Sequence, residues 1–468
     1  MRAAVSPDVE PEVGYWELVK SNANFRWLWI GTVISFLGDW FNTIAIYELV
    51  RQLTGSPLAL GAVFITKMLP FALVSPLAGL IADRFNRRRL MIVSDVLRML
   101  VVLGFLFIDS VGELPLLYVL VAVQVSISAA FIPARNAALP NITSTQELLT
   151  ANTLMSATWS TMLAIGAALG GLATEWLGIN NVFLIDSASY VVSAFFIFLT
   201  VIPQDKAEVA PGSAIRSAVR DIVAGWRYMI NHPRVGRIAP AKAAWAVGGG
   251  ATVYMLTLLG EEINPAASAA GIGFLFAARG IGTGIGPVLA RAWFKDERTW
   301  PMVLGACIIF SGVWYQVIGF AAWSYWMIGC VIMAHAASGA NWVLASVLLQ
   351  RRTPDPYRGR IFGTEWLMVT LCDAISILGA SLLLETSWFT LRMGFQVFAL
   401  IQIVTGIVWI LTIVPWERAD EERLAEEQEK KRKRTEAEKR AEAETATADE
   451  AEAAATSDEP DQKLPGSD

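Results

Sequence analysis

The residues of this 468-residue chain able to do chemistry are ionisable side chains set inside long apolar stretches. Asp39 is the sharpest of them. It lies well inside an apolar run, and Ser35, Asp39 and Asn42 share one helical face at spacings of four and three. A carboxylate at that depth costs several kcal/mol unless it is paired or wetted. Two readings follow: it loads and releases a proton or contacts a substrate, or it pairs structurally with a base such as Lys67 or Arg279. Those two bases also sit mid-run, placed either to neutralise Asp39 or to meet an anionic substrate. Glu48, nine residues beyond Asp39, reads as an interfacial acid. Glu365 and Asp373 are eight residues apart, about 80° around a helix axis, so both can face one cavity wall. Glu365 also fits a gate salt bridge to Arg358 or Arg360, and Asp186 fits a helix cap or a packing acid. Lys242, Trp245 and Gly249 share one helical face, as do His335, Ser338 and Trp342. His335 suits a proton relay or a hydrogen-bonded packing role. Trp159, Trp245 and Trp342 lie deep enough in their runs to line an aromatic pocket for a bulky amphiphile.

Other chemistries lack their residues. Cys307, Cys330 and Cys372 all lie in apolar runs and give neither a disulfide framework nor metal-ligand spacing. The glycine-rich run from Arg279 to Gly286 follows no strand, so it is no dinucleotide loop. Its small residues four apart (Gly280 and Gly284, Gly282 and Gly286), like Gly166 and Gly170, read as close helix packing. No phosphate loop with a following Lys and Ser or Thr exists. The expectation is a chain without enzyme activity or cofactor, and without nucleic acid as a partner.

These side chains need membrane helices to position them. Apolar residues make up 54% of the chain and charged ones only 17%, where a soluble domain carries about 25%. A spanning helix needs about 20 apolar residues, and twelve such runs are present, near 27–51, 58–82, 90–108, 115–137, 152–176, 181–202, 238–260, 269–291, 301–320, 323–349, 361–384 and 392–414. Connections are short except Pro203–Arg237, which splits the chain six plus six. That segment holds spaced apolar residues among Arg216, Arg220 and Arg227 between Ala214 and Met229, as a helix lying on the membrane surface would. Lys and Arg in alternate connections number eighteen on one side, Arg135 among them, against two on the other, Arg51 and Arg392. The positive-inside rule then places both termini in the cytoplasm. The expected organisation is a cytoplasmic segment 1–24, a six-helix bundle 25–202, a cytoplasmic linker 203–237, a second bundle 238–415, and a charged tail 416–468. From Glu417 onward the tail carries 18 acidic and 10 basic residues, net −8 within an overall −5, so the rest of the chain is net +3. A solvated helix is expected to about Arg440 and disorder after it. No cleavable signal peptide is expected.

The segment Gly79-Leu-Ile-Ala-Asp83-Arg84-Phe-Asn-Arg87-Arg88-Arg89 cannot lie in hydrocarbon and must turn between two helices. It resembles the cytoplasmic signature of the major facilitator superfamily, and the resemblance covers about residues 15 to 415. A narrower likeness, to the bacterial macrolide-efflux and enterobactin-exporter branch, rests on several short stretches. They are Asn24-Phe25-Arg26, Gly38-Asp39, Pro133-Ala-Arg135, Leu139-Pro140, Ala151-Asn152 and Arg358-Gly359-Arg360. The resemblance implies an all-α fold of twelve transmembrane helices in two six-helix bundles. It also implies a conformational latch of Gly79, Asp83, Arg84 and Arg88, and a cavity lined by the first, fourth, seventh and tenth helices. In that arrangement Lys242, Trp245, His335 and Trp342 would meet Asp39. The function implied is a secondary transporter of the plasma (inner) membrane, a proton-coupled exporter of an amphiphilic small molecule such as a drug, macrolide or siderophore. A lysophospholipid flippase, an importer, or a non-transporting sensor or scaffold are the alternatives. The expected partners are the small-molecule substrate, protons and the lipid bilayer, and the expected state is a monomer.

Overall fold

The computed structural model describes residues 13–204 and 214–457, except the side chains of 76–80, 82–84, 214–219, 355–356, 425, 428 and 438–457. Twelve helices among these are long and apolar enough to cross a membrane. They are α1 (Ala23–Thr54), α2 (Pro57–Arg84), α3 (Arg87–Gly104), α4 (Leu114–Ile142), α5 (Thr145–Leu177), α6 (Ile179–Leu199), α7 (Ala241–Ile263), α8 (Ser268–Trp293), α9 (Trp300–Phe320), α10 (Met327–Arg352), α11 (Asp355–Leu384) and α12 (Leu391–Ser457).

Local chemistry explains the boundaries. Asn22 accepts a hydrogen bond from the Phe25 amide to start α1, and Gly55, at φ 58°, takes the left-handed conformation that ends it. Ser56 then caps α2 with Pro57 in its first turn, Asn86 caps α3, and Ser144 with Glu147 forms a capping box for α5. Such tight turns make successive helices antiparallel neighbours. Large apolar side chains such as Val288, Ile375 and Phe195 stand exposed on the outer faces, as a helix surrounded by lipid requires.

Within the first half, α1 packs on α5 and α6, α2 on α4, and α3 on α4 and α6. Within the second, α7 packs on α8 and α11, α8 on α10, and α9 on α10. The glycines of α8 permit close contact: a Cβ on Gly286 would sit 2.0 Å from the Ala336 carbonyl oxygen, and one on Gly282 2.4 Å from that of Ile332. The halves meet through α5 against α8 and α2 against α11.

The linker helix, Ala214–Asn231, docks on α11, where Arg360 pairs with Asp221 at 3.0 Å and a Cβ on Gly225 would meet the Thr364 hydroxyl at 2.3 Å, while its Val223, Trp226 and Ile230 stay exposed. Two expectations need correction here. Arg135 is not in a turn, since α4 continues through Pro133 and Pro140 to Ile142 and buries it. Finally, the helix of the tail continues to Ser457 rather than ending near Arg440. Ala and Glu are strong helix formers, and pairs such as Arg432 with Glu429 at 3.0 Å add to the helix. Residues 412–468 form a second unit, and 458–468 lie outside the described residues.

Candidate substrate cavity and coupling site

A cavity of about 430 Å³ opens between the halves, within the size range of small-molecule sites. Asp39, Lys67 and Trp159 line it from the first half, and Trp245, Arg279 and Asp373 from the second. Asn42 is also on the wall, its amide donating to Gln124 at 3.3 Å. Seven of the residues singled out in the sequence therefore do converge.

The cavity is closed at the end where α1 turns into α2. Tyr47 stacks on Phe64 at 4.6 Å, Phe64 meets Tyr254 edge-on at 5.6 Å, and Tyr47 approaches Phe276 at 5.9 Å. Behind these rings Arg51 joins the halves, binding Glu48 at 2.6 Å and Glu261 at 2.8 Å. Ser268 donates to Glu48 at 2.7 Å, and Tyr254 donates to the Pro57 carbonyl at 2.6 Å. Glu48 is thus part of a three-helix polar seal rather than a solvated interfacial acid. Hydrogen bonds, an ion pair and ring contacts join the halves from the middle of the helices to this end.

Asp39 has one oxygen bonded by the Tyr190 hydroxyl and the other 4.0 Å from Arg98 Nη1. Its side chain keeps 33% exposure, toward the cavity, while Arg98 keeps 3% and Asp95 none. Arg98 also pairs with Asp95 one turn away and lies over the Tyr190 and Phe131 rings at 4.4 and 4.5 Å. Neither Lys67 nor Arg279 is the partner of Asp39, because Arg98 of α3 reaches it first. Gly38 makes this possible: a Cβ there would lie 2.1 Å from Ser189 Oγ and 2.5 Å from Asp186 Oδ1, so only glycine lets α1 approach α6 this closely. Asp186 sits mid-α6, fully buried, accepting from Ser189 at 3.3 Å; it caps nothing. Asp39 and Asp95 thus share a single guanidinium, with Asp186 near enough to act on it electrostatically.

Other expected residues lie elsewhere. Lys242 and Glu365 pair with each other at 3.0 Å, each 4% exposed, so Glu365 is not bridged to Arg358 or Arg360. Lys242 also faces the Trp342 ring at 4.8 Å, away from the cavity wall. His335 is buried behind Trp245, bonded to the Tyr315 hydroxyl at 2.8 Å and Ser338 at 3.1 Å. Trp245 thus lines the cavity with Asp39, whereas Lys242, His335 and Trp342 do not. Of the latch, the side chains of Gly79, Asp83 and Arg84 lie outside the described residues, and Arg88 bonds the Ile197 and Phe198 carbonyls at the end of α6. Arg98, Asp95 and Tyr190 were missed in the sequence. Asp95 and Arg98, three apart in an apolar run, carried the same signal as Asp39.

The family model described as Major Facilitator Superfamily matches residues 28–364. The chain belongs to the major facilitator superfamily. Among similar superfamily members, an uncharacterized transporter, YfiS of Bacillus subtilis, is 26% identical over 410 residues, 84% of this chain and 94% of that protein. The putative bacilysin exporter BacE of the same species is 25% identical over 362 residues, 75% and 86% of the two chains. The enterobactin exporter EntS of Escherichia coli is 24% identical over 383 residues, 78% and 86%. Among solved structures, the nucleoside transporter NupG superposes with TM-score 0.67 at 11% identity, covering 83% of this chain and 99% of that one. A bacterial homologue of the iron transporter ferroportin gives 0.62 at 14% identity, covering 84% and 98%. The superfamily fold and a role as a multi-pass membrane transporter are therefore established.

Proposed function

We propose that the protein is a proton-coupled exporter of an amphiphilic small molecule, working in the plasma membrane with both termini in the cytoplasm. The observation that carries this reading is Asp39, which faces the cavity on one side and a buried charge cluster on the other. Asp39 is held only by a neutral hydroxyl and by a guanidinium 4.0 Å away that is already paired with Asp95, so its charge is only partly compensated, which a low-dielectric interior disfavours. The cluster is therefore suited to take up a proton when wetted and release it when the geometry changes. The groups facing Asp39 are Arg98 of α3, Tyr190 and Asp186 of α6, and, acting over a longer range, Lys67 of α2 and Arg135 of α4. Export is supported by the likeness to BacE and EntS. An amphiphilic cargo is supported by Trp159, Trp245 and Phe36 standing among charged groups in the cavity lining. Asp83 and Arg84 are assigned the cytoplasmic latch with Gly79, while Arg88 anchors α3 to α6.

The test begins with a growth screen of a susceptible host expressing the chain against macrolides, siderophores and other toxins. The protected compound is then followed in proteoliposomes. Asp39→Asn should abolish accumulation driven by a pH difference while exchange between equal pools continues. A variant that still concentrates the compound using only a pH difference would overturn the coupling role.

A further inference from the structure

Several bases of the membrane domain are paired: Arg98 with Asp95, Lys242 with Glu365, Arg51 with Glu48 and Glu261. Arg135, Lys67 and Arg279 differ, and of these Lys67 and Arg279 line the cavity. Lys67 Nζ donates to the neutral hydroxyl of Thr43 at 2.6 Å and stands 5.9 Å from the Tyr47 ring. Arg279 lies 5.9 Å from the Phe276 ring, and its buried Nε has no hydrogen-bond partner. Among the described residues neither forms an ion pair. Both lie on the cavity wall, at the edges of its aromatic floor, where Tyr47 and Phe276 are 5.9 Å apart.

The acids near the wall leave these bases without a bonded partner. Asp39 and Asp186 act on Lys67 only over a longer range, and Asp39 is engaged by Arg98 and Tyr190. Asp373 is close enough to act on Arg279 electrostatically but makes no ion pair with it, and its Oδ1 is unpartnered. A buried cation without a partner is costly, and the cost is offset when an anion enters with the cargo. We propose that the cavity floor is an acid-binding subsite: the transported compound carries a carboxylate or an equally acidic group, met by Lys67 and Arg279, on an apolar body seated against Tyr47 and Phe276. The inference deepens the exporter reading by naming its substrate class. Because Lys67 belongs to the first half and Arg279 to the second, such an acid also bridges the two bundles.

The test uses the full chain with Cys307, Cys330 and Cys372 replaced and Ser128→Cys placed on the cavity wall. Rates of reaction are measured with an anionic reagent, 2-sulfonatoethyl methanethiosulfonate, and a cationic one, 2-(trimethylammonium)ethyl methanethiosulfonate. Each rate is divided by that of free cysteine. The anionic reagent should be favoured, and Lys67→Gln with Arg279→Gln should lower the anion-to-cation ratio at least about tenfold, the effect of even one charge about 10 Å away at an effective dielectric near 20. The exposed Thr153→Cys should show no such change. Arg279→Lys, which keeps the charge, should keep the ratio. Naphthalene-2-carboxylate should protect Ser128→Cys, and naphthalene-2-carboxamide should not. An unchanged ratio in the double variant, equal protection by acid and amide, no protection by the acid, or a cavity cysteine that neither reagent reaches would overturn the proposal. Asp39→Asn separates this from the coupling reading. It must not lower the ratio, so a chain that keeps the ratio but shows no pH-driven export would lose the proton-coupled reading and keep the acid subsite.

Discussion

The seal beyond the cavity floor can be opened by one methyl group. Gly171 of α5 and Gly273 of α8 face each other: a Cβ on Gly171 would stand 2.4 Å from the Ala269 carbonyl oxygen and 3.0 Å from Gly273 Cα. Since both neighbours are backbone, Gly171→Ala cannot be relieved by a side-chain rotation, and α5 and α8 must part by several tenths of an ångström or more. Overpacking of this kind costs about 1–3 kcal/mol, which is roughly a 5- to 160-fold shift in an equilibrium constant. A state with the halves parted at this end escapes that cost, so the substitution should populate it. The assay is labelling of Val253→Cys, on the cavity wall, in a cysteine-free background of whole cells by a membrane-impermeant maleimide. In the parent sequence the seal should keep labelling low, and Gly171→Ala should raise the rate at least about fivefold, the lower bound of the estimate. Unchanged labelling in a protein with an unchanged melting temperature would refute the idea that this contact is a closure that breaks as a unit.

Topology is tested with the same reagent: Gly112→Cys and Pro265→Cys should label from outside, and Arg88→Cys and Arg352→Cys only after permeabilisation. Arg98→Met should destabilise the protein by about 3–5 kcal/mol, because it strands the buried Asp95, read as a lowered melting temperature in detergent. Asp95→Leu with Arg98→Met should recover most of that loss. Lys242→Met and Glu365→Leu should each lower the melting temperature, while the two together should cost less than the sum of the two single changes; strict additivity would show that the pair is not coupled.

The twelve spans were legible because hydrocarbon thickness fixes helix length, and the six-plus-six division followed from one long connection. Asp39 was legible for the same reason that it is costly. Its partner was not: a sequence shows that Asp39 needs a base, but the choice among Lys67, Arg279 and Arg98 depends on which helices touch α1. That choice is set by Gly38, whose missing side chain brings α6 and Tyr190 alongside. His335 and Lys242 illustrate the complementary failure. Helical spacing groups Lys242 with Trp245 and His335 with Ser338, but it does not give the rotation of α7 and α10 about their axes. In the structure Trp245 reaches the cavity while Lys242 turns to Glu365 and His335 lies behind the indole. The docking of the linker helix on α11 was not legible, because an apolar stripe shows neither the Asp221–Arg360 pair nor the close approach at Gly225.

The placement of buried charge divides the labour between the bundles. The Asp39, Asp95, Arg98 and Asp186 cluster lies entirely in the first half, whereas the second half contributes to the cavity through Trp245, Arg279 and Asp373, each of which can be exchanged without stranding an ion in the first. Such a molecule is modular in an evolutionary sense. Substitutions along α7, α8 and α11 can retune what the cavity accepts while the charge cluster beside α1 is inherited intact, so divergence among relatives should accumulate on one wall and be resisted on the other.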